Sequence, residues 1–150
     1  MAFRSFMSEA LEAAQEAFDA DEVPVGAVIV KDGTVIAKAR NETRGRLDAT
    51  AHAEMLVLQQ AMAALGQERL EACDLYVTLE PCAMCAGAIA HARIRRLYFG
   101  ASDPKSGGVI HGARVFDAPQ SHHRPEIYEG VGEAACAALL KDFFATKRGS

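Results

Sequence analysis

His52-Ala53-Glu54 and, further along, Pro81-Cys82-Ala83-Met84-Cys85 bring a histidine, two cysteines and a carboxylate into short spacings. Imidazole and thiolate are zinc ligands, and zinc favours four of them in a tetrahedron. Three protein ligands therefore leave one position for water, which marks a catalytic rather than a structural site. Glu54 is the spare carboxylate beside that water, able to take its proton and hand it on. An activated water with a proton-carrying carboxylate reads as hydrolytic deamination.

Other readings of the same residues are narrower. A Cys-x-x-Cys pair alone fits a redox motif, half of a structural zinc site, or two core thiols. A redox pair has no need of His-x-Glu, and a structural site wants a fourth protein ligand, for which Cys73, Cys136 or another histidine is available. Catalytic zinc accounts for all four residues at once.

Both halves are expected at helix starts. Asp48 and Thr50 are cap-type residues ahead of the apolar positions Met55, Leu58 and Met62, which puts His52 and Glu54 in the first turn of that helix. Two residues apart is about 200° around a helix. One of the two side chains must then point along the axis and the other across it. Cys82 and Cys85, three apart, share a face, and Pro81 suits the first helical position because its fixed φ matches. The positive ends of two helices favour thiolates and an anionic metal cluster.

Around these motifs the chain alternates helix and strand. Phe3, Met7, Leu11, Ala14 and Phe18 mark a face of a first helix. Val25 to Val30 and Thr34 to Ala39 read as strands joined at Asp32-Gly33. Leu75 to Leu79, Arg96 to Phe99 and Glu126 to Glu129 read as further strands, with the cysteine helix after the first of them. Leu139, Leu140, Phe143 and Phe144 mark a last helix. The alternation predicts a mixed sheet with helices on both faces.

With 150 residues, 50% hydrophobic and 24% charged, the composition is that of one ordinary globular domain, residues 1–150. Glu9, Glu12 and Glu16 interrupt the first twenty residues, so no secretory leader is expected. No stretch is long enough to cross a membrane. Four cysteines, two of them assigned to metal, argue for a reducing cytoplasm, with Cys73 and Cys136 as core residues.

The chain resembles the bacterial tRNA-specific adenosine deaminases of the cytidine deaminase-like superfamily. His-x-Glu with Pro-Cys-x-x-Cys is the known signature of that superfamily, and the flanking blocks point to the branch. These are Glu22 to Val30, Asn41, Thr50 to Glu54, Tyr76 to Ile89, Arg93-Ile94, Gly100 to Lys105 and Leu139 to Phe144. The resemblance implies an α/β/α sandwich on a five-stranded mixed sheet, one zinc ion held by His52, Cys82 and Cys85, and Glu54 as catalytic proton carrier. It also implies Asn41 at a base edge, Val25 as a wall against the base and Asp103 beside the ribose. Taken alone, Asn41 and Asp103 read as turn residues. The implied substrate is a wobble adenosine in the anticodon stem-loop of an arginine tRNA, converted to inosine in the cytoplasm by a homodimer.

Bulk charge does not announce nucleic acid: 16 Lys plus Arg stand against 20 Asp plus Glu, a net charge of −4. Three local clusters are the candidates for RNA contact, namely Arg40, Arg44 and Arg46; Arg93, Arg95 and Arg96; and Lys141, Lys147 and Arg148. The segment Gly107 to Gln120 departs from the family pattern, and His122 stands where relatives commonly carry Asn. A free purine or nucleoside deaminase, such as a guanine deaminase, is the alternative that suits the acidic bulk. A zinc-stabilised RNA-binding module without activity would leave Glu54 without a purpose.

Overall fold

Asp32 and Gly33, with φ of 51° and 74°, supply the paired left-handed residues that a tight hairpin turn needs. In the computed structural model, which describes residues 5–148, they join β1 (Gly26–Lys31) to β2 (Thr34–Arg40) as an antiparallel pair. β3 (Cys73–Leu79) pairs antiparallel with β1 on its other side. β4 (Arg96–Ala101) and β5 (Glu126–Tyr128) then add in parallel. The sheet order is β2-β1-β3-β4-β5. This is the five-stranded mixed sheet that the sequence predicts, with strand ends displaced by one or two residues. Gly26 to Val30 and Leu97 to Ala101 are buried without interruption, the pattern of strands covered on both faces.

Helices cover both faces. α1 (Met7–Asp19) and α4 (Glu133–Arg148) lie on one side, over Val28, Val30, Tyr76 and Tyr98. α2 (Ala53–Leu65) and α3 (Ala83–Ala92) lie on the other, over Ala27, Ile29, Leu75, Val77 and Phe99. Within α1 the buried positions are Met7, Ala10, Ala13, Ala14 and Ala17, with the expected Leu11 and Phe18 half-buried at the margin. Phe3 lies outside the described residues. Among the described residues no helix is long and apolar enough to cross a membrane.

The alanine face lets α1 approach β1 at backbone range. A Cβ on Gly26 would lie 2.1 Å from the Ala10 carbonyl oxygen and 2.4 Å from the Ala14 nitrogen. Gly26→Ala should therefore cost about 1–3 kcal/mol or more by overpacking and lower Tm by roughly 5 °C or more. Thermal scans of the two proteins check this.

On the same side of the sheet three tyrosines from adjacent strands stack. Tyr76 and Tyr98 have ring centroids 4.3 Å apart at an interplanar angle of 3°. Tyr98 and Tyr128 follow at 4.9 Å and 17°, and Phe6 meets Tyr76 edge-on.

Candidate active site

The parallel crossover from β3 through α3 to β4 and the start of α2 deliver the chemistry-bearing residues to one place. His52 is the N-cap of α2, in extended backbone (φ −72°, ψ 151°), and Glu54 lies in the first turn. The expected cap residues do not cap: the Asp48 carboxylate is spent on the backbone N–H and hydroxyl of Thr50, at 2.9 and 2.7 Å. Instead the Ala53 N–H donates to Asn41 Oδ1 at 2.8 Å, a cap supplied from twelve residues away. Losing such a cap costs about 1 kcal/mol, so Asn41→Ala should lower Tm by about 2–4 °C in a thermal scan.

Cys82 is likewise an extended N-cap (φ −72°, ψ 174°), and α3 begins at Ala83. Pro81 is thus two residues ahead of the first helical position rather than in it. Its carbonyl accepts the Gly108 N–H at 2.8 Å. His52 and Cys82 are thus both extended caps, and their side chains meet each other and that of Cys85, which is within α3.

His52, Cys82 and Cys85 have ligand atoms all within 4.8 Å of one another, the one such group of three among the described residues. His52 Nδ1 lies 3.6 Å from Cys82 Sγ and 3.5 Å from Cys85 Sγ. Zinc with bonds of about 2.05 Å to nitrogen and 2.3 Å to sulfur at a tetrahedral angle would separate them by about 3.6 Å. The donor set and its spacing fit that metal.

Cys85 is fully buried and Glu54 is 4% exposed. The hydrogen bond to the Cys85 thiol, then that to the His52 ring, brings Cys82 down to about 4. The same Cys82 contact and burial hold Cys85 well above the ordinary thiol range. The pair thus shares one proton, which metal binding would release. Cys82 also raises His52, against the opposing effect of burial. Burial pushes the Glu54 carboxyl up to about 7, near neutrality as a proton carrier requires.

The three remaining expected residues fall into two groups. Val25 is buried and accepts the Asn41 N–H through its carbonyl at 3.1 Å, so Val25, Asn41 and Ala53 are hydrogen-bonded in a chain leading to His52 and Glu54. The Asn41 Nδ2 makes no hydrogen bond among the described residues. Asp103 lies apart, on the loop after β4, where its carboxylate accepts the N–H groups of Lys105 and Ser106. With Lys105, Lys141, Phe144 and Lys147 it lines a groove of about 760 Å³.

The arginine clusters are mostly spent within the fold. Arg44 pairs with Asp21 and Arg46 with Glu42. Arg95 and Arg96 share Asp74, and Arg96 also meets Glu126. Lys147 pairs with Asp21 while facing the groove. The described cationic lining is therefore lysine, and of the C-terminal cluster the Arg148 side chain lies outside the description. His123 Nε2 meets the Ile94 carbonyl at 2.6 Å, a role within the fold, and His122 is exposed.

Two buried carboxylates escaped the sequence reading. Glu22 accepts the Arg44 and Gly45 N–H groups and pins the loop between β2 and α2. Glu80, between β3 and Pro81, gathers donors from residues 103–111. A glutamate inside Leu-Glu-Pro-Cys was the available signal, but its partners are more than twenty residues distant.

Comparisons with known proteins place the chain in a family. The family model of MafB19-like deaminases matches residues 1–148. The tRNA-specific adenosine deaminase of Agrobacterium fabrum (strain C58) is 57% identical over 143 residues, covering 95% of this chain and 94% of that protein. A solved structure from a study of A-to-I editing by tRNA:A34 deaminases at the wobble position of transfer RNA superposes with a TM-score of 0.89. It is 57% identical and covers 90% of this chain and 98% of its own. The guanine deaminase of Bacillus subtilis is 32% identical with a TM-score of 0.66, covering 99% and 95%. The chain belongs to the MafB19-like deaminases and, within them, to the tRNA-specific adenosine deaminases.

Proposed function

We propose that the protein converts adenosine at the wobble position of a tRNA anticodon loop to inosine, with one zinc ion per chain held by His52, Cys82 and Cys85. The observation that carries this reading is the three-ligand group beside the buried Glu54. It is found on a chain 57% identical to a tRNA-specific adenosine deaminase. Bound zinc would lower the pKa of water from 15.7 to about 7 and so supply a nucleophile at neutral pH.

Glu54 does the proton work. It takes a proton from the attacking water and delivers it to N1 of adenine as oxygen bonds to C6, then takes the remaining proton from the new C6 hydroxyl and delivers it to the departing amino group. The C6–N bond breaks, ammonia leaves, and inosine remains. Val25 walls the base, Asn41 Nδ2 donates to its edge while Oδ1 stays on Ala53, and Asp103 meets the ribose. Wobble adenosine is already unpaired, which makes its entry into a pocket cheap. Lys105 and Lys141 along the groove offset phosphate charge in a chain whose net charge is negative. The family resemblance extends this reading to an arginine tRNA and a cytoplasmic homodimer.

The acidic net charge and the likeness to a guanine deaminase favour a second reading, deamination of a free purine. Incubating the zinc-loaded protein with an anticodon stem-loop bearing wobble adenosine, alongside guanine, adenosine and cytidine, separates them. Inosine from the stem-loop alone is the expected result, read by chromatography after digestion. Product from a free base or nucleoside with the stem-loop untouched would overturn the tRNA reading.

A further inference from the structure

We propose that Glu80 is a positioning residue, which holds the segment 103–111 against the start of α3 and thereby sets Asp103 at the rim of the lysine-lined groove. The proposal rests on the tRNA reading above, because it concerns how that substrate is placed.

The Glu80 side chain is fully buried, where an unpaired carboxylate would be costly. Five donors meet it. Oε1 accepts the Asp103 N–H at 2.9 Å and faces His111 Nδ1 at 2.8 Å. Oε2 accepts the N–H groups of Val109, Ile110 and His111 at 3.1, 2.9 and 3.1 Å. Carboxylate and segment therefore hold each other in place.

Two glycines let the segment lie flush. A Cβ on Gly107 would be 2.5 Å from the Glu80 carboxylate, and one on Gly108 would be 2.6 Å from the Ala83 nitrogen at the first turn of α3. The Gly108 N–H to Pro81 carbonyl bond closes the same contact. Asp103 is thus tied by its own N–H to the residue two before Cys82, while its carboxylate is oriented by Lys105 and Ser106.

Glutamine at position 80 would release one side of the anchor selectively. Its carbonyl oxygen can keep the three N–H groups of Val109, Ile110 and His111, and its NH2 can donate to His111 Nδ1 in the other ring tautomer. That leaves the Asp103 N–H facing a donor. The full-length, zinc-loaded Glu80→Gln protein should show a KM for the stem-loop raised about tenfold, with kcat within about twofold and one zinc per chain retained. Asp103→Ala should raise KM in the parent and add little in the Glu80→Gln background, since coupled residues are non-additive. A parental KM in Glu80→Gln, a loss confined to kcat, or fully multiplicative effects of the two substitutions would overturn the proposal. Should Glu80→Gln fail to fold, His111→Ala takes a half-exposed partner from the same carboxylate and has to raise KM about threefold with kcat held; a parental value there overturns it equally. A parent protein inactive on the stem-loop but active on a free purine would sink the tRNA reading, and the inference with it. A parent active on the stem-loop beside a Glu80→Gln protein of parental KM would sink the inference alone.

Discussion

Glu54→Gln should lower kcat on the stem-loop by about 10³–10⁴-fold, the upper part of the range for a lost general acid–base, with metal content unchanged. The residue moves every proton in the proposed reaction, so no other side chain stands in for it. Glutamine preserves volume at a site only 4% exposed, which avoids a cavity. An uncharged amide is also cheaper to bury than a carboxylate. The variant should therefore melt no lower than the parent. Single-turnover kinetics, a zinc assay and a thermal scan check the three parts together, and a kcat within tenfold of the parent would remove Glu54 from its role.

Cys85→Ala should abolish both metal and activity. It leaves His52 and Cys82 as ligands, and the substituted thiol sits fully buried at the core end of the site. Zinc binding is coupled to the folded state. A metal present at about 1,000 times its Kd contributes about 4 kcal/mol, so the variant should melt about 10 °C lower. Chelation should bring the parent to the same melting temperature. Added zinc should restore the chelated parent but not Cys85→Ala. Metal counting with a colorimetric chelator, followed by thermal scans with and without zinc, tests both statements.

These effects fall on residues that were visible in the chain itself, because metal ligands and proton carriers are few in kind and closely spaced in sequence. The hairpin at Asp32-Gly33 and the alternation of strand with helix were legible for a similar reason, each being a local pattern. Helix starts were less so. His52 and Cys82 are extended caps, a backbone state that neither residue type announces, and the capping oxygen at Ala53 comes from Asn41 rather than from Asp48 or Thr50. Electrostatics was legible only as a sum. Arg44, Arg46, Arg95 and Arg96 look like a cationic footprint in sequence, and carboxylates at Asp21, Glu42, Asp74 and Glu126 neutralise them in space. Glu80 lay furthest out of reach, because what defines it is five donors that only the fold collects.

The chain contains three tyrosines and no tryptophan, and all three belong to a single stack, in which Tyr76 and Tyr98 lie under α1 and α4 and Tyr128 is the exposed end. Near-ultraviolet absorption, emission and circular dichroism of the native protein thus originate almost wholly from one column of parallel chromophores, on the sheet face opposite the zinc ligands. Such spectra follow the docking of those two helices against the sheet. A tryptophan in place of Phe144, which is 45% exposed at the groove, would be the sole indole in the molecule, giving RNA binding a fluorescence signal free of competing emitters.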